Sequence, residues 1–313
     1  MKRCASQFAF NKTEIQLLRE LAKGEQSLRQ IKMLLRIKPA LLSRNLKKLK
    51  QKGIIQTVAE GNRKRAYFSE TKHASLLRAL LLSYGHMNWE NILGGKSIEI
   101  LFQTIDSNDL SSFSRATLWR YLKSLQAIGI ITETQKRYRV NTRFSTLIDF
   151  LKEFERYFVI KISKTLSENS VVIWQKDMEF LVQAPKSAEA PSGDFHKTAT
   201  STFSQYDLPL FSEIDIYLYS KTKQMIKPED AVLHTLLLEP DNARYSTYAL
   251  MLLKRTEKQI DKTYLLEEAK HYGLENEVNA IFEFFQTHIR PEGHTLPNWE
   301  EFVDRARGYG LMA

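Results

Sequence analysis

Hydrophobic residues recur at steps of three and four along the start of the chain, which is the spacing of amphipathic helices. Thr13 and Gln16 have the pattern of a capping box and predict the beginning of a first helix. Ser27 predicts the cap of a short second helix that ends at Leu35, and Pro39 predicts the first turn of a third helix. The start of the chain therefore predicts three consecutive helices.

The chain also contains an internal repeat, which constrains its architecture. Residues 42–55 (LSRNLKKLKQKGII) align without gaps to residues 118–131 (LWRYLKSLQAIGII), with 8 of 14 positions identical. The leucines of each copy fall on one stripe of a helix, and a glycine follows in the position of a C-cap. The leucines are Leu42, Leu46 and Leu49 in the first copy, and Leu118, Leu122 and Leu125 in the second. Each copy therefore predicts a helix that stops at a glycine, followed by a strand.

A basic β-hairpin is predicted after each repeated helix. In the first copy IIQTV and RAYFS are strand-like, and Gly61-Asn62 supplies the turn. In the second copy IITET and RYRVN flank a turn at Gln135-Lys136. Ahead of the second repeated helix, Ser97 predicts the cap of a helix that ends at residue 105, and residues 108–113 predict a short helix. Both copies therefore predict three helices followed by a hairpin.

Charge is distributed unevenly along the 313 residues. Residues 1–150 carry 27 Lys and Arg against 11 Asp and Glu, whereas residues 151–313 carry 19 against 25, within a net charge of +10. Lysine and arginine bind polyanions because each neutralised phosphate releases condensed counterions. The basic half is therefore either a nucleic-acid-binding module or a solvated basic face, and charge alone does not separate the two.

The phrase S-R-x-L-K-K-L-x-x-K-G-I-I, with its leucine stripe, closing glycine and basic hairpin, resembles the winged helix-turn-helix regulators of the MarR and ArsR kind. The resemblance covers residues 10–70 and 95–142. It implies that the third helix of each domain lies in the major groove and that the hairpin, or wing, follows the adjacent backbone. By position it implies DNA contacts from Ser43, Arg44, Lys47, Lys48, Arg63, Lys64 and Arg65 in the first domain, and from Arg120, Lys123, Lys136, Arg137 and Arg139 in the second.

The two copies differ on the surface that the resemblance turns toward DNA. Trp119 of the second copy occupies the place of Ser43 in the first. A bulky indole hinders close approach to a groove, so the second domain is expected to read DNA more weakly or to contact a protein. For Lys47, Lys48 and Lys50 of the first copy, the alternative to DNA binding is a solvated helix face.

Residues 144–166 contain no proline or glycine and predict one long amphipathic helix. Its apolar stripe consists of Phe144, Leu147, Leu151, Phe154 and Phe158. The stripe either packs on its own domain as a strut or pairs with a second copy, because symmetric regulators bind two half-sites as homodimers. Tandem winged domains in one chain can also cover two half-sites without a partner.

The acidic half predicts a small sheet followed by helices. SVVIW, EFLVQA and EIDIYLY are strand-like, and in the last of these Glu213 and Asp215 alternate with the apolar Ile214, Ile216 and Leu218. This alternation predicts a strand with one buried face. Helical segments follow in PEDAVLHTLLLE, STYALMLLKR, DKTYLLEEAKHYGL, EVNAIFEFFQTH and residues 299–307.

The E-x-D strand and the phrases PEDAVLHTLL and YLLEEAKHYGL resemble the nucleotidyltransferase-related domain of AbiEi-type antitoxin regulators. A working nucleotidyltransferase combines a Gly-Ser turn with paired strand carboxylates that bind Mg²⁺ and a third carboxylate. Near Thr200-Ser201 the glycine is missing, and Glu213 and Asp215 are interpreted as a solvated strand face. The resemblance therefore implies a non-catalytic scaffold or sensor, with a toxin-like protein as its partner and with no catalytic residue, metal or cofactor assigned.

Other catalytic patterns are missing from the sequence. The seven histidines show no paired ligand spacing, and no Walker loop, G-x-S-x-G or G-x-G-x-x-G occurs. His234 lies in an apolar helical stretch and is interpreted as a core residue with satisfied hydrogen bonds. The sequence therefore predicts a protein that is not an enzyme.

These patterns together predict an α+β protein with two winged domains (1–85 and 86–143), a connecting helix (144–167) and a C-terminal α+β domain (168–313). The predicted function is a transcriptional regulator that binds double-stranded DNA. A nucleotidyltransferase-type enzyme recruited to nucleic acid and an architectural DNA-binding protein are the alternatives. The single cysteine, Cys4, excludes an internal disulfide and favours the cytoplasm, and no apolar run approaches the roughly 20 residues of a membrane span.

Overall fold

The computed structural model describes residues 8–311 except 62, 107–109, 111–112, 136, 177 and 191–192. It describes the side chains of these residues other than Glu60, Arg63 and Asp106. The chain forms two compact units, Met1–Val159 and Ile160–Ala313. The fold is mixed α+β with small sheets and a helical C-terminal part, which confirms the predicted fold class.

The first unit contains both copies of the repeat. Its helices and strands are α1 (Lys12–Ala22), β1 (Gln26–Ser27), α2 (Leu28–Leu35), α3 (Pro39–Gln51), β2 (Ile55–Glu60), β3 (Arg63–Phe68), α4 (Lys72–Ser83), α5 (Trp89–Leu93), α6 (Gly95–Asp106), α7 (Arg115–Ala127), β4 (Ile131–Thr134), β5 (Arg137–Val140) and α8 (Ser145–Leu166), whose last turns belong to the second unit.

The second unit begins with a sheet and continues with helices. These elements are β6 (Val171–Lys176), β7 (Glu179–Pro185), β8 (Phe195–Lys197), a 3₁₀ helix (Ala199–Tyr206), β9 (Ile214–Tyr219), α9 (Pro228–Leu238), α10 (Ala243–Arg255), α11 (Lys262–Tyr272), α12 (Glu275–Thr287) and α13 (Trp299–Gly308).

In the first copy, α1, α2 and α3 pack together beside a three-stranded antiparallel sheet of order β1-β3-β2. Strands β2 and β3 pair from Ile55 opposite Phe68 to Glu60 opposite Arg63. The predicted third helix and its hairpin are therefore present. The leucine stripe of α3 is buried, at Leu42, Leu46 and Leu49.

The helix beginnings of this copy agree with the sequence in two cases and differ in one. Ser27 caps α2 and Pro39 opens α3, as predicted. The cap of α1 is Asn11 rather than Thr13. The Asn11 side chain accepts a hydrogen bond from the Glu14 backbone N–H, and the Glu14 carboxylate accepts one from the Asn11 backbone N–H, both at 2.9 Å. The capping box is real but begins two residues earlier than predicted.

The repeat in the sequence is also a repeat in the structure. Arg115 at the start of α7 follows Pro39 at the start of α3 by 76 positions, and both helices are 13 residues long. Gly53 and Gly129 follow these helices with positive φ angles of 68° and 80°. A left-handed residue directly after a helix is the geometry that glycine favours, so both helices end at the predicted position.

The second copy differs from its prediction upstream of α7. Helix α6 begins at Gly95, and Ser97 is buried in its first turn instead of capping it. The short helix predicted over residues 108–113 falls largely outside the described residues. Strands β4 and β5 pair as a two-stranded antiparallel hairpin, as predicted.

Helices α4 and α5 occupy the interval between the two copies, for which the sequence analysis predicts no element. Leu77, Leu80 and Trp89 are fully buried there. The backbone N–H of Phe10 donates a hydrogen bond to the Leu93 carbonyl at 2.9 Å, which ties this interval to the start of the described chain. The interval therefore belongs to the core of the first unit.

The predicted long helix is present as α8, after a 3₁₀ turn over Thr142–Phe144. Its residues Leu147, Leu151, Phe154 and Phe158 are buried. The rings of Phe154 and Phe158 lie 5.8 and 4.6 Å from that of Phe8, so this part of the stripe packs within the first unit. These contacts support the strut interpretation, and a homodimer through α8 would need a different face of the helix.

The second unit has a four-stranded antiparallel sheet of order β6-β7-β9-β8. Strands β6 and β7 match the prediction, whereas β8 is not predicted. The expectation of a half-buried β9 is wrong, because the strand is buried on both faces from Asp215 to Tyr219. On one face the Tyr219 ring stacks on Phe180 at 4.8 Å and contacts Phe195 at 5.1 Å. The other face of β9 belongs to the helical core.

The predicted helices of the second unit are all present. Helix α9 is the most enclosed, since every residue from Glu229 to Leu238 is buried. It packs against α10, α11 and the 3₁₀ helix. Its enclosed position explains why its sequence lacks a polar, solvent-facing side.

Candidate nucleic-acid interface

Helix α3 is fixed to α1 through polar contacts on its inner side. The Asn45 side chain accepts a hydrogen bond from the Asn11 side chain at 2.9 Å. Just after α3, the Lys52 ammonium donates to the Glu14 carboxylate at 2.9 Å and to the Ala9 carbonyl at 2.7 Å. Lys52 therefore faces inward, although it belongs to the same basic phrase as the exposed lysines.

The outer side of α3 is exposed and positively charged. Ser43, Arg44, Lys47, Lys48 and Lys50 are all exposed. Helix α3 contains no Asp or Glu, so no carboxylate of the helix itself neutralises these cations. The residues of α3 for which the resemblance implies DNA contacts, Ser43, Arg44, Lys47 and Lys48, are therefore all accessible.

The wing carries further cations next to this face. Lys64 is exposed, and Lys50 at the end of α3 donates to the Thr57 hydroxyl of β2 at 3.1 Å. Arg65 lies 3.6 Å from Glu25, with both side chains about two-fifths exposed. Arg63 lies in β3, and its side chain is outside the described part of the chain.

Residues of α4 and α8 pack against the junction between α3 and the wing. A Cβ atom added to Gly53 would lie 2.4 Å from the ring of Tyr157. The buried His73 ring lies 4.5 Å from that of Tyr157, and its Nε2 is 3.0 Å from the Lys52 carbonyl. Burial lowers the pKa of His73, so its ring is neutral at physiological pH. These contacts hold the angle between helix and wing.

The second copy presents a different surface. Trp119, Arg120 and Lys123 are exposed on α7, as are Arg137 and Arg139 on the wing strand β5. The Lys123 ammonium lies 4.7 Å from the centre of the Trp119 ring. Lys136, which the resemblance also implies, lies outside the described residues.

In the second unit, the two strand carboxylates are not equivalent. Asp215 is buried and accepts a hydrogen bond from the Lys197 ammonium at 2.6 Å. Glu213 precedes β9 and is exposed. The hydrogen bond to Asp215 raises the pKa of Lys197, which keeps the pair charged. The interpretation of both carboxylates as a solvated strand face is therefore wrong for Asp215, which is in a strand enclosed on both sides.

A polar cluster around Lys223, which no sequence pattern indicated, lies in the same unit. The Lys223 ammonium donates to the Asp230 carboxylate, to Glu268 at 2.6 Å and to the Tyr264 hydroxyl at 3.2 Å. Burial opposes the charge on Lys223, but its two carboxylate partners outweigh burial and raise its pKa. Burial near Asp230 raises the pKa of Tyr264 to about 12. Lys223 precedes α9, Asp230 lies in α9, and Tyr264 and Glu268 lie in α11, so no single local pattern indicates the whole cluster.

His234 lies one helical turn beyond Asp230 and is fully buried. Its Nδ1 is 2.6 Å from the Thr198 hydroxyl, and its Nε2 is 2.9 Å from the Tyr272 hydroxyl. Both ring nitrogens therefore have partners, which confirms the interpretation of His234 as a satisfied core residue. Burial lowers the pKa of His234 to about 4.

Comparison with known proteins identifies one domain. The family model described as HVO_2833_C, C-terminal, matches residues 192–311, which comprise most of the second unit. No curated protein matches the chain. The match marks a recognised C-terminal domain and supports neither the expected winged helix-turn-helix identity of the first unit nor an AbiEi-type identity.

Two further observations concern the described residues alone. Among them, no helix combines the length and apolar character that a bilayer crossing requires. Within the same set, no three His, Cys, Asp or Glu side chains converge as a group of metal ligands.

Proposed function

We propose that this chain is a cytoplasmic DNA-binding transcriptional regulator. In this proposal α3 and its basic wing contact the major groove and backbone of duplex DNA, and α7 with its shorter wing forms a second contact. The C-terminal domain is a non-catalytic sensor or binds a protein partner.

The observation that carries the proposal concerns α3. Its outer face is exposed and has no Asp or Glu, while its inner side is fixed to α1. Arg44, Lys47 and Lys48 share this face, while Lys52 and Asn45 hold the helix to α1. A solvated helix face requires no such fixed geometry, and solvated surfaces usually mix both signs of charge. A rigid helix with cations on one side and a cationic hairpin beside it suits the grooves and phosphates of a duplex.

The assignment of the C-terminal domain as non-catalytic has its support in Asp215. Catalytic carboxylates of a nucleotidyltransferase must be free to bind Mg²⁺. Asp215 is instead buried and paired with the half-exposed Lys197. A test is Mg²⁺ titration with labelled nucleotides, and turnover that is abolished by Asp215→Asn would overturn this part of the proposal.

The DNA contact is tested by charge reversal of Arg44 and Lys47 together. Arg44→Glu/Lys47→Glu should abolish the shift of duplex DNA in a gel-shift assay. The matched control is Lys258→Glu/Arg290→Glu, which makes the same charge change at exposed positions of the second unit and should retain binding. Retained affinity and an unchanged salt dependence in the Arg44 and Lys47 variant would refute the groove assignment.

A regulator and an architectural protein differ in sequence preference. Selection from random duplex DNA should enrich a pseudo-palindromic site if the protein is a regulator. Binding that is indifferent to sequence and falls steeply with salt would favour the architectural alternative.

A further inference from the structure

Trp119 is the feature of the second winged copy that the proposed function leaves without a role. Its side chain is 64% exposed on the outer face of α7, at the position that Ser43 occupies on α3. An indole left in water forgoes the burial free energy of a large apolar side chain. The helix does bury apolar side chains on its inner face, at Leu122 and Leu125, so the exposed Trp119 is an exception on α7.

The surroundings of the indole are cationic. Lys123 lies over the ring at 4.7 Å, Arg120 is exposed next to it, and α7 contains no Asp or Glu. Lys123 leaves most of the ring open, as the exposure of Trp119 demonstrates. A partner for this surface must therefore offer a flat face to the ring and negative charge to the cations.

Nucleic-acid bases on a phosphate backbone meet both requirements, but a closed duplex does not expose its base faces. In a duplex the bases stack on each other, and only their edges are open in the grooves. A base that is unpaired or unstacked can stack on an aromatic side chain, and phosphates on either side can pair with nearby cations. The small Ser43 in the first copy allows close approach to a groove, whereas the indole in the second obstructs it.

We propose that Trp119, with Arg120 and Lys123, forms a stacking site for an unpaired base, so that the second winged domain binds single-stranded or locally opened DNA. This inference rests on the proposed function in that it takes the winged domains to be DNA-binding. It assigns the two copies different substrates: α3 binds duplex, and α7 binds the exposed bases of a strand that has left its partner.

The experiment uses the full chain and a fluorescein-labelled oligothymidylate of about fifteen nucleotides, a length within the range of known single-strand sites. Trp119→Ala should weaken its binding by roughly tenfold or more, because one stacked base contributes a factor of this order. Trp119→Phe, which keeps an aromatic face, should stay within a few-fold of the unchanged chain. Phe211→Ala is the control, since it removes a 99% exposed aromatic ring from the other unit and should have no effect.

A second readout reports on the ring itself. Oligothymidylate should quench the part of the tryptophan fluorescence that Trp119→Phe removes. That part is isolated by comparing the unchanged chain with Trp119→Phe, because the other three tryptophans, Trp89, Trp174 and Trp299, are present in both. The salt dependence of binding should be unchanged in Trp119→Ala, since a stacking contact neutralises no phosphate.

The outcomes separate this inference from the proposed function. If Trp119→Ala binds oligothymidylate as tightly as the unchanged chain, while duplex binding still depends on Arg44 and Lys47, the stacking site is refuted and the regulator proposal stands. If the chain binds neither duplex nor single strand, both fail. If polyglutamate quenches Trp119 and oligothymidylate does not, the surface binds an acidic protein and the stacking site is refuted.

Discussion

The ammonium of Lys52 lies 2.9 Å from the carboxylate of Glu14, and both side chains are almost fully buried. The same ammonium lies 4.1 Å from the centre of the Phe10 ring. Burial lowers the pKa of Lys52, and Glu14 opposes this effect. The pair joins the end of the proposed recognition helix to the beginning of α1. The position of the proposed DNA-binding surface therefore depends on an ion pair that is itself buried.

We expect Lys52→Met to destabilise the first unit by about 3–5 kcal/mol, because it leaves the Glu14 carboxylate buried without its charged partner. Lys52→Met/Glu14→Gln should recover much of this loss, since glutamine removes the buried charge and keeps a side-chain oxygen for the α1 cap. Lys47→Met is the exposed control and should change stability by no more than about 0.5 kcal/mol. Urea unfolding measures all three, and a double variant as unstable as Lys52→Met would contradict the argument.

The two helix-ending glycines allow a matched test of packing at the wing. Gly53 and Gly129 both have positive φ, but an added Cβ meets Tyr157 only at Gly53, and nothing lies within 4 Å of it at Gly129. Gly129→Ala should therefore cost about 1 kcal/mol for the left-handed backbone alone. Gly53→Ala should cost clearly more, on the order of 2–4 kcal/mol, because the Tyr157 ring must also move. Equal losses in thermal or urea unfolding would show that Tyr157 does not constrain the junction.

The exposed cations of the first winged domain should contribute through phosphate contacts. Lys48→Ala and Lys64→Ala should each weaken duplex binding about equally for all sequences and reduce the slope of log affinity against log salt by about 1. Lys258→Ala in the second unit should leave the slope unchanged. The measurement is the affinity for duplex DNA at several salt concentrations. An unchanged slope in both Lys48→Ala and Lys64→Ala would show that neither lysine contacts a phosphate.

The repeat made α3, α7 and their hairpins predictable because its information is local, whereas α4 and α5 between the copies were not predicted. Leucine spacing, a closing glycine and a hairpin turn lie within one short segment, so α3, α7 and the residues after them appear where the sequence places them. The inward direction of the Lys52 side chain could not be predicted in this way. Lys52 belongs to the same phrase as Lys47 and Lys48, and its inward direction depends on Glu14, which is 38 positions away.

In the second unit, the prediction of a half-buried β9 was wrong for a similar reason: local alternation does not indicate contacts from distant parts of the chain. Alternation along EIDIYLY predicted one solvated face, yet Asp215 is buried and pairs with Lys197 of the unpredicted strand β8. The Lys223 cluster likewise joins Asp230 of α9 to Tyr264 and Glu268 of α11. Helix positions in this unit followed from apolar spacing, whereas its polar contacts arise only once the helices are packed.

The buried ring of His234 should make the second unit sensitive to acid. Its pKa is about 4 in the folded chain against an ordinary value of about 6.5. Between these values the unfolded chain takes up a proton that the folded chain does not. The free energy of unfolding should therefore be unaffected by this group above about pH 6.5 and fall by about 3 kcal/mol as the pH drops to 4.

The variant His234→Gln tests this pH dependence. It removes the titrating ring and retains polar atoms opposite Thr198 and Tyr272, so its stability should be lower at neutral pH but should fall less steeply between pH 6.5 and 4. His86→Gln, at an exposed position, should keep the slope of the unchanged chain. Urea unfolding at a series of pH values, followed by the fluorescence of the second unit's tryptophans, provides the measurement. A slope in His234→Gln equal to that of the unchanged chain would mean that another group carries the acid sensitivity.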